Sequence, residues 1–244
     1  MTLKNFKGEK MNKEIFEKGL SDISFEYNDE IINKFEIFSK LLVEWNEKMN
    51  LTAVTDPEGI SVKHFLDSVA PLSVFEIKEN AKVIDVGTGA GFPGVPIKIM
   101  RPDLEFTFMD SLNKRITFLN EVSNNLEFKK AELIHGRAED LGKDKKYRGK
   151  YDVAVSRAVA NLKVLSEYCV PFVKVGGVFA AFKQFEVEDE IEEAKAMIGS
   201  LGGKISDVKE VKIPQSDIIR KIVIIEKVKE TPAQFPRRAN KIKK

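Results

Sequence analysis

The chain predicts an α/β protein. The expected core is a seven-stranded, mostly parallel sheet covered by helices on both faces, with a helical N-terminal extension. Three observations carry this reading. From residue 81 to 198, short apolar runs alternate with helical stretches, the rhythm of parallel β-α-β units. The first run ends in a glycine-rich turn, DVGTGAGFPG (85–94). Upstream, residues 14–49 carry apolar side chains at steps of three and four instead.

Taken in order, the first ten residues hold three lysines and little apolar content, so they read as a frayed or extended start. From 14 to 49 the pattern is helical. Ile31, Ile32, Phe35, Phe38, Leu41, Leu42, Trp45 and Met49 form one apolar stripe. Asn28 is the expected N-cap, with Asp29 and Glu30 where the helix dipole favours acids. Asp56 and Pro57 read as N-cap and first helical position of another helix running to about Ala70, which Pro71 discourages from continuing. The strand-like runs are AKVIDVG (81–87), LEFTFMD (104–110), AELIHG (131–136), YDVAVS (151–156) and GVFAAFK (177–183). Helical stretches lie at 114–124, 162–173 and 186–198. Two last runs, 204–211 and 220–228, are joined by too few residues for a crossover helix, which predicts an antiparallel hairpin. The expected divisions are a helical region 1–78, a sheet domain 79–229 and a basic tail 230–244.

Composition excludes several classes. Of 244 residues, 43% are hydrophobic and 32% charged, which argues against disorder and membrane spans. The lone Cys169 and two histidines cannot make a disulfide or a typical structural zinc site. MTLKNFKGEK lacks an apolar segment, so no secretory signal is expected and a reducing cytoplasmic setting is. A net charge of +2 means that a polyanionic partner needs locally concentrated cations.

The glycine loop follows a strand and opens a helix, a setting for cradling a ligand on backbone N–H groups. Gly87, Gly89 and Gly91 read as G-x-G-x-G, and 89–94 also satisfies G-x-G-x-x-G through Gly89, Gly91 and Gly94, so a methyl donor and a dinucleotide both remain open. Asp110 closes the second run, 23 residues after Gly87, where an acid can accept from ribose hydroxyls. Asp85 lies two residues before the first glycine. It tilts the choice toward S-adenosylmethionine, because it is placed to reach an ammonium group and would repel a pyrophosphate. In HGRAED (135–140), Ala138 and Glu139 can border an adenine and accept from its amino group; capping the next turn is the plainer role for Glu139 and Asp140.

NLTAVTD (50–56), HFLDS (64–68), DVGTGAGFPG, HGRAED and SRAVA (156–160), in this order and spacing, resemble the RsmG (GidB) family over about residues 14–238. The resemblance implies a class I S-adenosylmethionine-dependent methyltransferase with a Rossmann-like fold. It further implies methyl transfer to guanine N7 in the decoding-centre region of 16S rRNA. Carried over residue by residue, it places Gly87, Gly89 and Phe92 against the methyl donor and Asp110 at the ribose. Ala138 and Glu139 fall at the adenine, and Arg157 faces both cofactor and base. The tail FPRRANKIKK has Phe235 where the family has tyrosine and lacks the glycine usual after the arginines.

N7 carries a lone pair and no proton at neutral pH, so no general base is required, and Arg157 is read as a donor that orients guanine. An A-form major groove hides N7, so the expected target is an unpaired or flipped base. Phe92, Phe182 and Phe185 are candidate stacking partners, with core burial the plainer role for Phe182. Cations concentrate at 143–150 and 231–244, the first reading as a solvated face and the second as a phosphate contact. Lys183, Arg237 and Arg238 are the candidate RNA-contacting residues. His64 and Cys169 read as structural. The expected partner is 16S rRNA within the 30S subunit or its precursor, with the protein acting as a monomer and holding no metal. An NAD-type oxidoreductase and a non-catalytic RNA-binding module are the competing readings.

Overall fold

A computed structural model describes residues 10–157 and 160–242. The frayed start at 1–9, Ala158 and Val159 of SRAVA, and the terminal Lys243 and Lys244 lie outside the described residues.

All seven expected strands form. They are β1 (Lys82–Val86), β2 (Glu105–Asp110), β3 (Ala131–His135), β4 (Tyr151–Arg157), β5 (Val173–Gln184), β6 (Gly203–Lys212) and β7 (Ile219–Lys227). They make one sheet in the order β3-β2-β1-β4-β5-β7-β6. The first five are parallel, while β7 runs antiparallel to both β5 and β6. The expected hairpin therefore exists, and its second strand slots between β5 and β6. β1 and β2 carry apolar residues almost throughout because helices cover both faces. Strand order reverses between β1 and β4, which opens a crevice beyond their C-terminal ends, where ligands bind in open α/β sheets.

The helical region forms two helices where one apolar stretch was expected, Lys13–Asp22 and Asp29–Met49. Ser24 at φ 57° turns the chain between them. Asn28 caps the second helix through Ile31 N–H at 2.9 Å, and Asn50, in the left-handed region, ends it. Asp56 caps the next segment through Gly59 N–H at 2.7 Å. That segment runs 57–73 with a wide π-helical middle at Ile60–Leu66 and a 3-10 end at Ala70–Ser73 that takes in Pro71. π turns recur at functional sites, and this one carries HFLDS. Phe16, Phe35, Phe38 and Phe65 bury into the same cluster as Phe92, Phe106, Phe108 and Phe118, so these helices share the core of one sheet face.

The tail departs from expectation. It docks on the opposite face, with Phe235 in that face's core. Arg237 makes a bidentate pair with Glu167, whose side chain is fully buried, through Nε (2.9 Å) and Nη2 (2.7 Å). Arg148, in the cationic stretch read as a solvated face, donates to carbonyls of Gly142, Thr231, Pro232 and Phe235. A buried carboxylate needs a counter-charge, and the chain supplies one from 70 residues away.

Candidate active site

The glycine loop is built by backbone conformation. Gly87, Gly89 and Gly91 have φ of 74°, 61° and 93°, where side chains are disfavoured. The N–H groups of Gly87 and Thr88 donate to Met109 O at 2.9 and 3.0 Å, latching the loop to β2. A Cβ on Gly94 would sit 2.6 Å from Asp85 Oδ2. Asp85 corrects the sequence reading. Its side chain is fully buried, and Oδ2 accepts from Thr88 Oγ1 (2.7 Å) and Gly94 N–H (3.0 Å). It ties the loop to the following helix, Gly94–Met100, and does not line the cleft. Burial pushes its carboxyl up to about 7, against the opposing pull of those two donors.

Asp110 stands at the end of β2. Oδ2 accepts from Gly89 N–H at 2.9 Å, Oδ1 from Leu112 N–H at 2.9 Å, and Arg115 Nη1 lies 3.2 Å from Oδ2. The carboxylate thus shapes the loop while facing two chambers. The smaller, about 200 Å³, is bordered by Gly87, Asp110, Ala138, Glu139 and Tyr168. The larger, about 450 Å³, is bordered by Gly87, Gly89, Phe92, Asp110 and Arg157, with Thr52 and His64. They meet at Gly87, Asp110 and Ser111. Gly87, Gly89, Phe92, Asp110, Ala138, Glu139 and Arg157 each border one chamber or the other, whereas Asp85 borders neither. Tyr168 was missed, since nothing marks it apart from its apolar helix. Arg137 Nη1 approaches Glu139 to 3.6 Å.

The third wall comes from the helical region. Ser156 Oγ donates to Val86 O at 2.7 Å, holding the ends of β4 and β1 together. Arg157 then reaches back to Asp67 Oδ2 at 2.9 Å and Ser68 Oγ at 3.2 Å, with its guanidinium carbon 5.1 Å from the Phe92 ring centre. His64 also packs here, stacked on Phe92 at 4.4 Å and 17°, with Nε2 2.7 Å from Thr52 Oγ1. Burial, helped by Arg157, lowers the imidazole to about 4, so it is neutral at ordinary pH. Asp67 also accepts from Arg220 Nε of β7 at 2.7 Å. NLTAVTD, HFLDS and SRAVA, distant in sequence, therefore close one wall. Sequence reasoning missed Asp67 and Arg220 because their partners lie 90 and 153 positions away.

Arg157 and His64 also border a cleft of about 610 Å³ that continues outward past Asp67, Phe182 and Arg220. Phe182 is buried, in line with its core reading, whereas Phe185 is exposed beside Lys221. Lys183, an expected RNA-contacting cation, borders this cleft as well. Nζ is taken up by Ala160 O at 3.1 Å and Glu190 at 2.6 Å, with a side chain only 10% exposed. Cys169 is fully buried, as expected. Among the described residues no cluster of metal-ligating side chains occurs, and no helix is long and apolar enough to cross a membrane.

The strand order, the glycine loop after β1 and the acid closing β2 define a class I S-adenosylmethionine-dependent methyltransferase. The residues fit that cofactor. Gly89 leaves open space where a Cβ would stand, Asp110 and Glu139 present acceptors, and Arg157 presents a cation. A solved S-adenosylmethionine-dependent methyltransferase from Aquifex aeolicus has the same fold, with a TM-score of 0.52 at 19% identity, covering 75% of this chain and 97% of that one. The chain belongs to the GidB family, rRNA small subunit methyltransferase G, whose sequence model matches residues 31–219. Ribosomal RNA small subunit methyltransferase G of Clostridium perfringens (strain SM101 / Type A) is 49% identical over 231 residues, spanning 95% of this chain and 97% of the relative. The protein of the same name from Thermoanaerobacter sp. (strain X514) is 53% identical over 213 residues, 87% of this chain and 89% of the relative. Membership leaves the oxidoreductase and binding-module readings without support.

Proposed function

We propose that this protein transfers a methyl group from S-adenosylmethionine to guanine N7 in 16S rRNA, in the decoding-centre region, acting as a cytoplasmic monomer on the small subunit or its precursor. The observation that carries the reading is the position of Arg157, bordering both the cofactor chamber and the 610 Å³ outer cleft. When bound, S-adenosylmethionine supplies an electrophilic methyl group. The chain's own task is to hold a base against it. N7 bears no proton at neutral pH, so no residue has to remove one. The side chains around the junction agree with that demand: His64 is neutral and packed, and the Cys169 thiol, raised by burial, lies in the core.

Arg157 is held over Phe92 by Asp67, and a fixed guanidinium is a donor for the acceptor edge of guanine, where O6 lies beside N7. The outer cleft has the size of a small-ligand site, sufficient for a base extruded from a loop. Orientation of that base is the expected main source of rate. The test is mass mapping of 16S rRNA, with and without the protein, on deproteinised RNA and on small subunits. A new guanine N7 methyl group is expected. Modification of another atom, or none on either substrate, would overturn the assignment.

A further inference from the structure

The tail and the basic stretch at 143–150, separate in sequence, meet in space. Lys143, Gln234, Arg238, Asn240 and Lys241 border a shallow groove of about 480 Å³, with Phe235 and Arg237 in its floor. Among the described residues no carboxylate borders it. Lys143, Arg238 and Lys241 are exposed, and among the described residues none of their side chains has an ion-pair partner. Arg237 differs, because Glu167 neutralises it.

The groove is held in place from below. Arg148 binds the carbonyls of Thr231, Pro232 and Phe235, and the Arg237–Glu167 pair pins the next residue. Pro236 lies against Gly142, where a Cβ would be 3.1 Å from the proline ring. Gly142 ends the short helix Ala138–Leu141, whose first residues border the smaller cofactor chamber. Three cations that have no ion-pair partner among the described residues thereby stand on an anchored backbone beside that chamber. Surface cations usually sit near acids; a fixed, acid-free set costs repulsion that a polyanion relieves.

We infer that this groove binds the phosphodiester backbone of the RNA substrate, through Lys143, Arg238 and Lys241 and not through Arg237. The inference rests on the methyltransferase reading for its choice of polyanion. Non-bridging phosphate oxygens accept charge-assisted hydrogen bonds from all three side chains, with Gln234 and Asn240 as added polar partners. Arg237 serves to hold the groove, and the two adjacent arginines have different work.

The experiment compares wild type with the Lys143→Ala, Arg238→Ala, Lys241→Ala triple variant. Three lost phosphate contacts should weaken binding to deproteinised 16S rRNA by roughly tenfold or more at low salt and flatten the log–log salt slope by about 2–3. S-adenosylmethionine affinity without RNA and the melting temperature should stay near wild type, because all three side chains are exposed. An unchanged RNA affinity and salt slope would overturn the groove. A wild-type protein that binds RNA with the expected slope yet methylates nothing would overturn the proposed function and leave the groove standing.

Discussion

Asp110 holds Gly89 and Arg115 while facing both chambers beside the glycine loop, so one carboxylate shapes the loop and presents an acceptor. Asp110→Ala is expected to weaken S-adenosylmethionine binding by about 1–3 kcal/mol, the value of one or two hydrogen bonds to a charged acceptor. Calorimetry showing unchanged affinity would place the ribose elsewhere. Asp67 is the counter-charge for Arg157 and Arg220, with a side chain 5% exposed against 15% and 26% for the two arginines. Asp67→Asn leaves two cations with a neutral partner. The expected loss of stability is about 3 kcal/mol, since breaking a buried pair exposes the desolvation cost of what remains. Urea unfolding measures that loss. Methyl transfer measured where the variant is still folded should also fall, as Arg157 is no longer held over Phe92.

Among the elements, the C-terminal segment has changed meaning most. From its charge and lack of apolar periodicity, removal after Thr231 should leave the core intact. The structure predicts otherwise, because removal strips the buried Glu167 of the Arg237 guanidinium and Arg148 of two carbonyl partners, those of Pro232 and Phe235. Arg237→Ala alone is expected to cost about 3–5 kcal/mol. Adding Glu167→Leu should recover most of that loss, since a well-packed apolar pair often matches a buried ionic one. A melting temperature unchanged in Arg237→Ala would show that the tail does not brace this face. The segment 57–73 teaches a related lesson. Its caps were legible, yet its π-helical middle depends on seating Phe65 in the core while His64 reaches Phe92.

For the molecule as a whole, two buried groups set opposed pH dependences. The imidazole of His64 falls to about 4 in the folded state from an ordinary 6.5. Between those values the unfolded chain binds the extra proton, so stability rises with pH and is lost as pH falls toward 4. The Asp85 carboxyl rises from 3.8 to about 7, so between those values the folded chain holds the extra proton and stability falls as pH rises. The two nearly cancel over about pH 4 to 6.5. Asp85→Asn removes one side of the balance, and its unfolding free energy should then climb with pH across that window, by at most on the order of 3 kcal/mol. A flat profile in the variant would show that His64 is not held neutral, and one parallel to wild type would show that Asp85 is not held protonated.

The strands, their helical covers and the glycine loop were readable because each follows from local demands. Periodicity reports which face is apolar, caps report unsatisfied N–H groups, and three glycines report backbone angles that other residues resist. The residues proposed for the cofactor rest on the same turns, since Gly87, Asp110 and Ala138 lie at or just past strand ends that pairing brings level. What local pattern could not contain is which distant surfaces meet. The insertion of β7 between β5 and β6 arose from packing, as did the shared core of the N-terminal helices and the sheet. So did the pairing of Asp67 with Arg157 and Arg220, and of Glu167 with Arg237. A charge in a sequence shows that a partner is needed, but only the folded chain selects it, because desolvation makes the choice depend on what else is buried beside it.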